Sequence, residues 1–333
     1  EQMSFSANTF LAVSRQILVY GGLSVVSFGI FGSVMILLIF SRKPLNENPC
    51  SKYIRANAIL SLFFLPFYFL PTILTHGLQI NVLAFNTSFC KFQSSYAGFT
   101  ITSIFIINCF IFFDRYVISS RSVRMRSYSS KHIAQTLITI GLCIAFGLIG
   151  IPAAIFYENI PLGPNGSYIC ASRSNRFLLC VAMIYFPILE GILPFILAVV
   201  FWLLTRKQVR TVHNKDLVRR LDRQITRMYL FHILINTIAS APFAIINLYR
   251  SLPLKTARTQ DQENTVQSFR LLGLWLFYVQ YCTDFYIYLA VSNEIGKQAV
   301  EVLCFWCRQR ITSITYNHEM TSLRAGTKTS TQY

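Results

Sequence analysis

The chain has 333 residues, of which 53% are hydrophobic and only 13% charged, and its formal net charge is +17. A soluble domain averages about 25% charged residues, so the low charge and the mean hydropathy of +0.48 exclude an ordinary water-soluble core and point to a membrane. The basic residues are spread between apolar runs instead of forming one face of a soluble domain, which excludes nucleic acid as the partner.

Seven apolar runs follow in chain order: 17–40, 57–74, 95–113, 133–156, 177–204, 228–248 and 271–291. Each is long enough to cross, or nearly cross, a hydrocarbon core of ~30 Å as a helix rising ~1.5 Å per residue. The runs are continuously apolar and do not alternate, so barrel strands are excluded. The expected fold is therefore an all-α membrane protein, a seven-transmembrane helix bundle with a short amphipathic eighth helix. Residues 1–16 read as an extracellular N-terminal tail, 17–308 as the receptor-like helical domain and 309–333 as a cytoplasmic tail. The opening EQMSFSANTF has no basic region ahead of an early apolar core, so no cleavable signal is expected. Of the Lys and Arg residues, 22 fall on the side of the C-terminus and 8 on the other, which sets the C-terminus in the cytosol and the N-terminus outside.

The stretch from Cys90 to Tyr116, CKFQSSYAGFTITSIFIINCFIFFDRY, organises the rest. After Lys91 it carries no charge until Asp114-Arg115-Tyr116. As one helix, the steps from Cys90 to Arg115 cover roughly 37 Å, which puts the cysteine at one membrane face and the arginine at the other. This resembles the third helix of the rhodopsin-like (class A) G-protein-coupled receptors, which starts at a disulfide cysteine and ends in a DRY motif. The resemblance extends over residues 17–308, and FYIYLAVSNEIG is similar to invertebrate neuropeptide receptors.

The resemblance implies a receptor that binds an extracellular ligand and promotes nucleotide exchange on a heterotrimeric G protein. It implies a disulfide between Cys90 and Cys170, both on the outer side where oxidising conditions allow one. It places helix kinks at Pro152, Pro194 and Pro242, each of which removes one backbone bond. It puts the activation machinery at Asp114, Arg115, Tyr116, Asp222, Asp284 and Tyr288, with Tyr288 turning inward on activation. By helical geometry Asp114 points about 100° away from Arg115. The resemblance implies Asp222 as the arginine's partner from the sixth helix, the alternative being a local helix pair with Arg219. Ser61 and Ser240 stand where the family has a buried Asp and an aromatic residue, so neither a sodium site nor an aromatic switch is implied there.

Other features carry smaller expectations. Asn165 and Asn86 head glycosylation sequons in outer loops, with Asn86 closer to the bilayer. Cys109, Cys143, Cys180 and Cys282 read as small core residues. In the amphipathic segment 293–308, Ile295, Ala299, Val302, Leu303 and Trp306 recur at helical spacing and would face lipid. Cys307 flanks that stripe and Cys304 lies nearly opposite, so Cys307 is the better placed of two palmitoylation candidates, the alternative being free thiols. The Ser- and Thr-rich tail suits receptor kinases and an arrestin, the alternative being a plain disordered tail.

For the ligand, Ala97 stands where an amine receptor needs a carboxylate, so a peptide is favoured over a monoamine. Glu190 is the acid within the outer half of the bundle; it either meets a cationic ligand group or is a protonated, hydrogen-bonded side chain. Tyr185, Phe186, Asn247, Tyr278 and Gln280 are the residues that could line the same cavity. No Ser-His-Asp, paired-carboxylate or metal-ligating constellation is visible, so no catalytic residue, cofactor or metal is expected. The competing readings are a chemosensory receptor for a small molecule and, from another class, a membrane transporter. A transporter would need a repeated half-structure and several midplane charges.

Overall fold

The computed structural model describes residues 2–43, 45–82, 86–120, 122–161, 168–193, 196–197, 199–200, 203–204, 217–251 and 259–304. Helix α1 (Gln2–Ile39) runs into α2 (Cys50–His76) and α3 (Thr87–Ser119). α4 (Lys131–Phe156) leads to a hairpin of β1 (Tyr157–Pro161) and β2 (Tyr168–Ser172). α5 begins at Asn175–Cys180 and continues through a π segment, Val181–Ile192. α6 (Leu217–Ser251) and α7 (Gln260–Val291) complete the bundle, and α8 occupies 293–304.

The helices overshoot the apolar runs because polar residues at their starts satisfy the first, orphaned N–H groups. Asn86 caps α3 by accepting from Ser88 N, Ser130 caps α4, and Ser174 caps α5. Thr259 and Gln262 form a reciprocal capping box at α7. Within the apolar stretches, hydroxyls donate back to carbonyls four residues earlier, as Ser24 does to Tyr20 at 2.9 Å and Thr102 to Gly98 at 2.7 Å. These hydroxyls are then not left bare toward lipid.

Prolines shape three helices. In α2 the turn Leu65–Phe69, containing Pro66, widens to a π turn, and in α4 the turn Phe146–Gly150 does so just ahead of Pro152. Each proline lacks an N–H and crowds the carbonyl four residues back, which a wider turn relieves. Pro242 sits inside α6. There α7 comes close: a Cβ on Gly273 would lie 3.1 Å from the backbone N and Cα of Phe243. Pro194 lies outside the described residues.

Two hydrophobic clusters stack along the bundle. One, at the Arg115 end, joins Met35, Ile39, Tyr53, Ile107 and Tyr288; the other, at the Cys90 end, joins Leu18, Phe64, Phe69, Tyr278 and Tyr281. The outer surface is apolar too: Ile155, Ile238 and Ile245 are 63%, 65% and 66% exposed, which suits lipid rather than water. Among the described residues, five helices are long and apolar enough to cross a membrane, α1 to α4 and the Phe231–Arg250 part of α6. In α7 the hydropathy is lowered by tyrosines and Asp284, and Tyr278, Tyr281 and Tyr288 are turned into the bundle.

Three expectations change. Residues 2–16, read as a tail, continue α1 as helix. The stripe on α8 faces the protein: Ile295, Ala299 and Val302 are buried in the Arg115-end cluster while Leu303 is exposed. Amphipathic spacing shows that a face is apolar, not which apolar neighbour it meets. Cys143 and Cys180 are exposed, so these two thiols are not core residues, whereas Cys109 is partly buried and Cys282, also partly buried, packs against the Cys90-end cluster. A membrane helix is apolar on both faces, so its sequence alone does not mark the buried one.

Candidate functional site

At one end of α3, Arg115 and Asp114 are both 4% exposed, and they meet directly: Arg115 Nη2 donates to Asp114 Oδ2 at 2.7 Å. The expectation that Asp114 points away is therefore overturned. The 100° between neighbours separates their Cβ directions, and a long arginine stem spans that gap by folding back. The same Nη2 donates to Asn48 Oδ1 at 2.9 Å, and that oxygen also accepts from Cys50 N. Ser129 Oγ donates to the other Asp114 oxygen at 2.5 Å. The loops following α1 and α3 are thereby tied to one buried ion pair. Tyr116 is half-buried next to it. Asp222 lies on the described α6 backbone, but its side chain is outside the described residues.

Above this cluster lies a cavity of about 60 Å³ between α2, α3, α6 and α7, with room for a handful of waters. Ser61, Asn108, His232, Asn236, Ser240, Gln280 and Asp284 supply its polar lining. His232 Nδ1 stands 2.6 Å from Asp284 Oδ1, joining α6 to α7, and Asn236 Nδ2 lies 2.8 Å from His232 Nε2. Asn57 Nδ2 donates to Asn108 Oδ1 at 2.7 Å, joining α2 to α3. Tyr288 is already buried, its ring edge-on to Phe40 at 6.1 Å. Among the described residues no three His, Cys, Asp or Glu side chains cluster as metal ligands would.

At the opposite end, Cys90 and Cys170 form a disulfide with Cα atoms 5.5 Å apart. Cys170 pairs in register with Asn159, so the bond fixes the whole β1–β2 hairpin to the start of α3. Asn81 Nδ2 also donates to Tyr168 O at 2.5 Å, and Ser95 Oγ to Gly150 O at 2.7 Å. Below the hairpin the rings of Phe69 and Tyr278 stack at 4.0 Å, and Phe64 meets Tyr281 at 5.0 Å.

Among the described residues, one ligand candidate borders the polar cavity and three are placed elsewhere. Gln280 borders the polar cavity, but Tyr185 is buried with its hydroxyl 2.8 Å from Thr102 Oγ1, and Tyr278 is enclosed in the aromatic stack. Asn247 donates to Phe243 O on its own helix at 2.9 Å. A pattern of polar and aromatic residues near the outer ends marks a face, whereas stacking partners decide whether the face is open. The side chains of Phe186 and Glu190 lie outside the described residues, as do Asn165 and Cys307. Asn86 is exposed but already serves as the α3 cap, and Cys304 is exposed.

Four participants escaped the sequence reading. Asn48 gave no signal, since a loop asparagine is ordinary. The Asn57–Asn108 pair and His232 did give one: a polar or ionisable residue inside an apolar run needs a partner across the bundle.

A family model described as "7 transmembrane receptor (rhodopsin family)" matches residues 32–288. The chain is also 22% identical over 287 residues to the somatostatin receptor type 4 of Rattus norvegicus, a match covering 84% of this chain and 70% of that receptor.

Proposed function

This chain belongs to the rhodopsin family of seven-transmembrane receptors, and from that premise we propose that it works in the plasma membrane, binding an extracellular peptide and activating a heterotrimeric G protein. The observation that carries the reading is the buried Asp114–Arg115 pair at the far end of a helix whose other end is fixed by a disulfide. The disulfide end is taken as extracellular, because such bonds persist in oxidising surroundings. The basic loops at the other end favour the cytosol. A peptide ligand is supported by the likeness to a somatostatin receptor and by alanine at position 97, which has no charge to offer an amine.

In this reading Arg115 is held in the resting state by Asp114 and Asn48, and Asp222 adds a tether from α6. Release of Arg115 and an outward swing of α6 about Pro242 expose the G-protein surface. A partly exposed tether is worth about 1 kcal/mol, so its loss raises the active population roughly tenfold at most. Phosphorylation of the tail by receptor kinases, arrestin recruitment, glycosylation at Asn165 and lipidation at Cys304 or Cys307 belong to the same proposal.

The test is nucleotide exchange on a panel of G proteins by the receptor in nanodiscs, at matched amounts of folded protein. Asp222→Ala is expected to raise ligand-free exchange, and Arg115→Ala to abolish exchange without lowering the amount of folded receptor. Exchange that is absent with every G protein for wild type and Asp222→Ala alike would overturn the reading.

A further inference from the structure

Arg270 stands at the disulfide end of α7, one residue before the buried Leu271, and is itself half-buried. Its Nε is sealed from solvent and has no hydrogen-bond acceptor. The groups close enough to act on its charge are the guanidinium of Arg250 and the phenols of Tyr68, Tyr157 and Tyr278; no carboxylate is among them. The phenols do not substitute for one. On β1, burial pushes the Tyr157 hydroxyl up to about 12, with Tyr68 adding to the rise and Arg270 opposing it, so at neutral pH it remains an uncharged hydroxyl.

The acids in the neighbourhood are committed or remote. Glu263 lies 3.7 Å from Arg250, which also reaches Gln267 at 3.4 Å, and Glu158 lies 3.7 Å from Arg173. Asp261 is on the same helix nine residues away from Arg270, about 13 Å along the axis. A half-buried guanidinium with no counter-charge among the described residues is unfavourable, and a planar fork of donors is suited to a carboxylate. Its surroundings are those of a binding site: stacked aromatic rings below, with Tyr68 and Tyr278 at 6.2 Å, and a hairpin held in place by the disulfide above.

We infer that Arg270, framed by Tyr68, Tyr157 and Tyr278, binds a carboxylate of the extracellular ligand, such as the free C-terminus or an acidic side chain of a peptide. The inference rests on the receptor reading above and sharpens it, since it assigns the ligand a negative group where Glu190 alone suggested a positive one. The guanidinium supplies the charge, the neutral hydroxyls supply hydrogen bonds without repelling the anion, and the other seven Lys and Arg residues that the sequence assigns to this side draw anions toward it.

The experiment uses the full chain in phosphatidylcholine nanodiscs at fixed ionic strength and reads the thermal midpoint. The probes are a pool of N-acetylated tripeptides with free C-terminal carboxylates, the same pool amidated, and inorganic sulfate. A ligand of the folded state raises the midpoint with the logarithm of its concentration over Kd, from which the affinity is read. The carboxylate pool is expected to stabilise the receptor and the amidated pool not. Arg270→Gln is expected to weaken the effect at least about tenfold, the lower end for a charge-assisted contact. Arg270→Lys, which keeps the charge but not the fork, should retain part of it, and Arg250→Gln should retain all of it. Equal stabilisation by both pools, no stabilisation by either, an undiminished effect in Arg270→Gln, or an equal effect of sulfate would each overturn the inference. Ligand-free nucleotide exchange is read on the same preparation, so failure of the carboxylate pool to stabilise the wild type while its exchange is intact refutes this site and leaves the receptor reading standing. If Arg270→Gln does not fold, Arg270→Lys decides: an effect no weaker than wild type counts against the fork.

Discussion

At the disulfide end, Cys90 is bonded covalently to a hairpin, and the rings of Phe64, Phe69, Tyr278 and Tyr281 meet at centroid distances from 4.0 to 6.1 Å. At the other end, Arg115, Asp114, Asn48 and Ser129 are joined by hydrogen bonds of 2.5 to 2.9 Å. A disulfide and interlocked rings have one arrangement each, and changing it means unpacking the helix ends. A guanidinium can exchange one oxygen for another at nearly constant energy, because each bond is worth only about 1–3 kcal/mol net. The molecule thus pairs a mouth with a fixed shape and a base with exchangeable partners. That division suits a receptor whose ligand site must be preformed while its far end must move.

The largest test removes the staple. Cys170→Ala opens a loop of 80 residues, for which the chain-entropy argument gives about 4 kcal/mol of lost stability. The thermal midpoint in nanodiscs should fall accordingly; an unchanged midpoint would mean that ring stacking alone holds the mouth. Next comes the middle of the bundle. Asp284→Asn leaves His232 facing a neutral amide and should cost about 2 kcal/mol. A double-mutant cycle with His232→Gln should show coupling of at least about 1 kcal/mol, and additive effects would dissolve the α6–α7 link. Gly273→Ala pushes a methyl against the Phe243 backbone, which cannot yield as a side chain would, for an expected loss of about 1–2 kcal/mol. Gly147→Ala, with nothing within 4 Å, is its control and should leave the midpoint in place. The smallest effect belongs to the exchangeable end. Asn48→Ala removes one of the bonds holding Arg115 and should raise ligand-free nucleotide exchange a few-fold, at about 1 kcal/mol; unchanged exchange would make Asn48 a mere cap for Cys50.

Much of this was legible in the chain because long apolar runs, a cysteine and a charged pair are spaced by the thickness of a bilayer. The single helix carrying both Cys90 and Arg115 follows from that spacing, while the disulfide was implied by the resemblance to the rhodopsin-like receptors and is present in the structure. What the sequence hid is direction. It did not show that Arg115 folds back onto Asp114, that the α8 stripe meets protein instead of lipid, or that Tyr278 is enclosed by other rings. In water, the polar face of a helix identifies its exterior; in a bilayer both faces are apolar, and that cue is lost. His232 could have been found, since an imidazole in an apolar run requires a partner, but its pairing with Asp284 depends on how α6 is rotated against α7.

The glycines of α1 have a consequence for how the protein is made. A Cβ on Gly21 would collide with Trp275, and one on Gly32 with Phe285, so α1 lies nearly backbone to surface against α7. Tyr286 reaches across the same seam to Phe28 O, bridging 258 residues of chain. The part of α1 that carries Gly21 and Gly32 therefore stays uncovered until α7 has been made. A nascent chain halted before Gln260 carries an open groove there, a stretch of surface by which quality control can tell an unclosed bundle from a closed one.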